Sequence, residues 1–185
     1  MSSAQGTQLT SASFPATWVE DQPRWYAIQT RARHEMRIGD ELQRKGIDVF
    51  VPTLHESHHW SDRKKIVEVP LFSCYAFVNL IASHSMRLEV LKTTGVFRFV
   101  QANGSPAPIP DSQIEGIKTV LSNNLPISTC GFIQVGQRVR VRGGSLDGIE
   151  GILMASKGGQ KLVISVELLQ QSVEVTVEGY AVEAV

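Results

Sequence analysis

At 185 residues, with 42% hydrophobic side chains and a formal net charge of zero, the chain can build a domain and a small module. It has no global basic field that would gather nucleic acid indiscriminately. Cys74 and Cys130 stand far apart in no C-x-x-C pair, so no disulfide or zinc framework can be read, and no apolar stretch is long enough to span a bilayer.

Residues 1–22 are rich in Ser, Thr, Ala and Gln and read as a mobile tail; with neither a basic run nor a continuous apolar run there, a cytoplasmic protein is expected. Trp25 to Thr30 reads as a strand. A helix follows near Arg33 to Lys45, with Ile38 and Leu42 one turn apart, Glu35 at the favourable N-terminal end, and Arg44, Lys45 and Gly46 closing it. Asp48 to Leu54 is a second strand, which Pro52 demotes to an edge or bulge. Ile66 to Leu80 returns as strand, broken near Pro70, so Ser61 to Lys65 is the tip of a hairpin. Met86 to Lys92 is a short helix with Ser83 or Ser85 as cap and Gly95 as stop. Val96 to Gln101 is another strand, and Pro110 opens a helix in which Ile114, Ile117 and Leu121 share one face.

The order β-α-β-β-α-β-α predicts an α+β domain over residues 23–121, with helices on one face of an antiparallel sheet and the other face open to a partner. Residues 122–132 read as a linker. After it the helical signals stop. Val139 and Val141 alternate with Arg138, Arg140 and Arg142, a glycine-rich turn follows through Gly143, Gly144, Gly148 and Gly151, and further alternating strands make residues 133–185 a small all-β barrel. The three arginines read as an outer strand face balanced by Asp147 and Glu150.

Residues 24–100 carry twelve Lys or Arg against eight Asp or Glu, and residues 133–185 carry five against six, so any nucleic-acid contact belongs to the first half. The candidates are Arg31, Arg33 and Arg37 at the first helix and Arg63, Lys64 and Lys65 at the hairpin tip. His55, Glu56 and His59 spell H-E-x-x-H, but in an extended arm rather than on a helix, so these residues do not converge on one metal. No phosphate loop, nucleophile elbow or placed carboxylate pair appears, so neither an enzyme nor a cofactor is expected. Tyr75 and Phe77 share a strand face by alternation, and Tyr75 to Val78 matches the middle of an RNA-recognition strand. An RNA-binding protein of RRM-like or ribosomal KOW type is therefore the alternative reading.

The run from Gly136 to Met154 resembles the KOW motif. Together with Trp25 and Tyr26, Val51 to Thr53, Pro70 to Val78, and GVFRFV followed by PAPIPDSQI, it makes residues 24–185 resemble the NusG family, including specialised paralogues of the RfaH and UpxY kind. The resemblance implies a transcription elongation and antitermination factor, expected as a monomer. Its first domain would bind the clamp helices of RNA polymerase through Trp25, Phe72, Tyr75 and Phe77. The basic residues would lie near upstream or nontemplate DNA, and the barrel would offer Leu168, Leu169 and Gln171 to a partner such as the ribosome or Rho. Two positions depart from the family pattern. Phe72, Ser73, Cys74, Tyr75 stands for Phe-Pro-Gly-Tyr, removing the glycine of a tight turn, and Leu169, Gln170, Gln171 stands for Phe-Gly-Arg, removing a charge.

Overall fold

The computed structural model describes residues 22–60, 63–123, 125, 127–131, 136–156, 159–177 and 179–185. The tail expected over residues 1–22 lies outside them except for Gln22.

The first half holds β1 (Arg24–Thr30), α1 (Glu35–Arg44), β2 (Asp48–Phe50), β3 (Thr53–Trp60), β4 (Arg63–Pro70), β5 (Tyr75–Leu80), α2 (His84–Leu91) and β6 (Val96–Phe99). Two-residue strands β7 (Gln101–Ala102), β8 (Ser105–Pro106) and β9 (Pro108–Ile109) then lead into α3 (Asp111–Ser122). The main sheet runs β2-β5-β1-β6, with β9 also on β1, and every pairing is antiparallel. The α+β class expected from the sequence is the one observed. Pro52 interrupts the second expected strand: β2 stays in the sheet, while β3 and β4 leave it as a separate hairpin in register from Thr53 opposite Pro70 to Trp60 opposite Arg63.

Because side chains alternate along a strand, β1 and β5 bury two different sets. Tyr26, Ile28, Ala76 and Val78 pack with Ile38 and Leu42 of α1 and Val90 of α2. Trp25, Ala27 and Phe77 pack instead with Phe72 and with Ile114 and Ile117 of α3. The open second face expected from the sequence is therefore covered. The cause is local: β9 pairs with Trp25 and Tyr26, and Pro110 starts α3 immediately afterwards, which lays that helix across the face.

The second half is a six-stranded sheet ordered β10 (Ile127–Gly131), β14 (Gln171–Thr176), β13 (Gly159–Val166), β12 (Glu150–Ser156), β11 (Gln137–Arg142), β15 (Ala181–Ala184). The turn between β11 and β12 uses its glycines as expected. Gly143, Gly144 and Gly148 have positive φ, and a Cβ on Gly151 would lie 2.5 Å from the Val163 carbonyl oxygen. The expected linker is a correction. Ser122 ends α3, and Ile127–Gly131 is β10, paired along its whole length with β14 and fastened by the Ser128 hydroxyl to Glu174 Oε1 at 2.9 Å.

The barrel also rests on α3. Ile114 and Ile117 of that helix face the sheet, while Gly116 faces Ile164 and Ile149 of the barrel, where a Cβ would come to 3.6 and 3.8 Å. Gln113 Oε1 accepts from the Glu167 backbone N–H at 3.3 Å, and Asn123 Nδ2 donates to the Ser145 carbonyl at 3.2 Å. One helix thus serves two cores, which merge into a single apolar cluster.

Candidate functional site

The aromatic residues picked from the sequence meet around one strand pair. Ala27 opposite Phe77 leaves room for the ring of Phe77, which stacks on Phe50 at 6.1 Å and takes the edge of Phe72 at 5.8 Å. Trp25 meets Phe50 edge-on at 6.4 Å, and Lys118 of α3 sets its ammonium 4.5 Å from the Trp25 ring centroid and 5.5 Å from that of Phe50. Trp25, Phe72 and Phe77 are buried, the last completely; Tyr75 and Phe50 are half-buried. Of the four expected contact residues, three are core and only Tyr75 is open to a partner. The buried position of Phe77 also removes one of the two rings on which the RNA-recognition reading rested. Phe50 was missed because it lies in the continuous apolar run Val49, Phe50, Val51, which gives no alternation to assign it a face.

The turn before β5 keeps its shape without glycine. Cys74 adopts φ 68°, the left-handed region, and the Tyr75 N–H closes the turn on the Phe72 carbonyl at 3.2 Å. Such a conformation costs a non-glycine residue on the order of 1–3 kcal/mol. It is partly offset by a hydrogen bond: Cys74 N–H donates to Glu35 Oε1 at 2.7 Å, and this side chain is almost fully buried at the start of α1. Glu35, read from the sequence as a helix-end charge, is a brace for the turn.

The basic residues divide into those seen and those not. Arg31, Arg33 and Arg37 are exposed around the first turn of α1, with Arg33 at φ 64° in the turn that precedes it. Lys92 and Arg98 join them from the segment after α2, because the Arg31 N–H donates to the Gly95 carbonyl at 2.8 Å. Among the described residues these five cations have no carboxylate partner. The side chains of Arg63, Lys64 and Lys65 lie outside the described residues; their backbone opens β4 rather than forming the hairpin tip.

In the barrel, Arg138 pairs with Glu167 and Arg142 with Glu183, and Arg140 binds Glu150, which raises its pKa. Asp147, expected to balance the arginines, instead accepts the Gly143 N–H at 2.6 Å. Leu169 is buried in the barrel, Leu168 and Gln171 are half-buried, and the turn that carries them abuts α3. His55 and Glu56 lie on β3, where His55 approaches Glu68 at 3.5 Å. Four residues of strand separate His55 from His59 by about 13 Å, too far for one metal ion. No group of three metal-binding side chains converges among the described residues. No helix among them is long and apolar enough to cross a membrane.

A family model described as transcription termination factor nusG matches residues 23–118, more than half of the chain. The chain belongs to the NusG family. It is 23% identical over 180 residues to the transcription termination/antitermination protein NusG of Borreliella burgdorferi, covering 87% of this chain and 98% of that protein. The NusG of Campylobacter jejuni is 26% identical over 130 residues, 65% of this chain and 73% of its own length. The fold is shared with a solved structure reported as a domain interaction in Thermotoga maritima NusG, at TM-score 0.55 and 18% identity, covering 87% of this chain and 97% of that one.

Within this NusG-family chain the two departures from the family pattern have the same structural outcome. Gln170, like Cys74, holds a left-handed backbone, at φ 53°. Its own side chain stabilises it, Nε2 donating to the Glu167 carbonyl at 2.9 Å. In both places the residue that stands for the family's glycine takes up the left-handed backbone itself.

Proposed function

We propose that this NusG-family chain is a transcription elongation and antitermination factor that acts by binding, without chemistry or a cofactor of its own. It docks on the clamp helices of RNA polymerase through Tyr75 and Phe50, and suppresses pausing or termination by holding the clamp closed. The observation that carries this reading is the aromatic stack itself. Trp25, Phe72 and Phe77 are buried beneath two rings that remain partly open, and a rigid aromatic platform of this kind is what anchors a partner helix. The unpaired cations around α1 support a second contact, to upstream or nontemplate DNA. Leu168 and Gln171 of the barrel remain the proposed contact for a ribosomal or Rho partner, with the buried Leu169 supporting them from the core rather than meeting the partner, and the protein works as a cytoplasmic monomer.

Capture of core polymerase by the full-length protein tests the docking. Tyr75→Ala should weaken capture by about 1–3 kcal/mol with the melting temperature nearly unchanged. Phe77→Ala should instead cost about 3–5 kcal/mol of stability by opening a cavity in the core. Unaltered capture by a folded Tyr75→Ala protein would end the proposal that this face is the polymerase site.

A further inference from the structure

Tyr75 owes its direction to the turn before it, and that turn is clamped from two sides. The Cys74 N–H donates to Glu35 Oε1 at 2.7 Å, and the Cys74 carbonyl accepts from the Thr30 N–H at 2.8 Å. Strand β5 begins with the next residue, Tyr75, opposite Gln29 of β1. A rotation of the backbone at Cys74 would therefore swing the first side chain of β5.

Glu35 is kept in this place at a cost. Its side chain is 2% exposed, and both its second oxygen, Oε2, and the Thr30 hydroxyl are buried without a hydrogen-bond partner among the described residues. Buried polar atoms left unbonded are unfavourable. A carboxyl that served the helix end alone could do so from the solvent side. What burial secures is the bond to Cys74, and the need for that bond comes from the residue that makes it. Cys74 stands at φ 68°, a region that a non-glycine residue populates less readily by on the order of tenfold or more, and that glycine enters freely.

We propose that Glu35 is a positioning residue for polymerase docking: it holds Cys74 in the left-handed conformation that presents Tyr75, a task that glycine in place of Cys74 would make unnecessary. This rests on the docking proposed above and names a residue that acts on it through the turn, without touching the partner. Glu35→Met keeps the buried volume and removes the acceptor. If the turn is then competent about a tenth of the time, capture of core polymerase by the full-length protein should weaken about tenfold. Adding Cys74→Gly should return capture to within about twofold of the Cys74→Gly protein. A loss of core packing at Glu35 would instead persist whatever residue replaced Cys74. Exchange of the Tyr75 amide hydrogen, which closes the turn on Phe72, should follow the same pattern, faster in Glu35→Met and restored in the double variant. That measurement needs no polymerase. A Glu35→Met protein that folds only when Cys74→Gly is added gives the same answer. A folded Glu35→Met protein that captures and exchanges like the parent, or a double variant that is as impaired as the single one or does not fold, overturns the positioning role and leaves the docking to be judged by Tyr75→Ala. Failure of the parent to capture polymerase ends the docking and this role with it, even where the exchange pattern shows that Glu35 sets the turn.

Discussion

The arginines of the barrel and those of the sheet domain are similar in exposure and opposite in company. Arg138, Arg140 and Arg142 each reach a carboxylate of their own domain, whereas Arg31, Arg33, Arg37 and Arg98 reach none among the described residues. An exposed ion pair contributes little stability, but it neutralises a charge that would otherwise be offered to a ligand. Clustered unpaired cations repel one another, a cost that an anionic ligand removes. Charge counts along the chain pointed to the first half, and pairing in the fold gives that preference a physical content.

The contrast can be broken most sharply by removing charge where it is unpaired. Replacing Arg31, Arg33 and Arg37 together with Gln should leave stability within about 0.5 kcal/mol, because all three are exposed and away from the core. If each holds one phosphate, affinity for a single strand should fall on the order of a hundredfold at 0.1 M salt, and the slope of log affinity against log salt should shrink by about 2. An unchanged slope would place these residues outside any nucleic-acid contact.

The reciprocal change is smaller. Arg142→Gln breaks the pair with Glu183 between β11 and β15 and should cost about 0.2–1 kcal/mol, less as salt rises, in thermal melts of the full-length protein. Oligonucleotide affinity should not move. A loss of affinity matching that of the sheet-domain arginines would erase the distinction between the two regions.

The smallest effect concerns pH. Hydrogen bonds from Lys161 and Ser128 hold the Glu174 carboxyl below the ordinary glutamate value. A depressed folded-state pKa lends stability that is fully present above the unfolded value and is lost as pH falls through the folded one. Partial exposure limits this to a few tenths of a kcal/mol. Comparing melts of the parent and Glu174→Gln from pH 6 down to pH 3 should show the difference between them shrinking toward acid; a difference that grows toward acid would reverse the assignment.

What could be read in the sequence was local. The alternation of Gln137–Arg142, the Ile38 and Leu42 stripe of α1 and the Ser83 cap, which accepts the Met86 N–H at 3.3 Å, each depend on residues a few positions apart. What escaped depends on distant partners. Ile127–Gly131 has no apolar period and becomes a strand only because β14 offers an edge. Gly116 and Val120 give α3 a second buried face, which a glycine in a helix does not announce. For the site, the exposed arginines were legible as charge, while the burial of Phe77 depended on where Pro110 sends the chain. The exposure of Phe97, at the bulge of β6 where Gln29 pairs with Arg98 and Thr30 with Val96, escaped for the same reason, because a bulge is a property of the pairing and not of one strand.

The edge strand β10 also bounds how far the barrel would reach if it left α3. With β10 zipped to β14, five Cα steps join Ser122 at the end of α3 to Ile127, a leash of at most about 18 Å. Unzipping it would free the chain from Ser122 to Gln137, fifteen steps that stretch to about 50 Å and average about 20 Å. Five residues of ladder therefore act as a spool. The same event that bares the edge of β14 pays out the slack that lets the barrel leave α3, so the reach of one domain from the other is metered by a single strand.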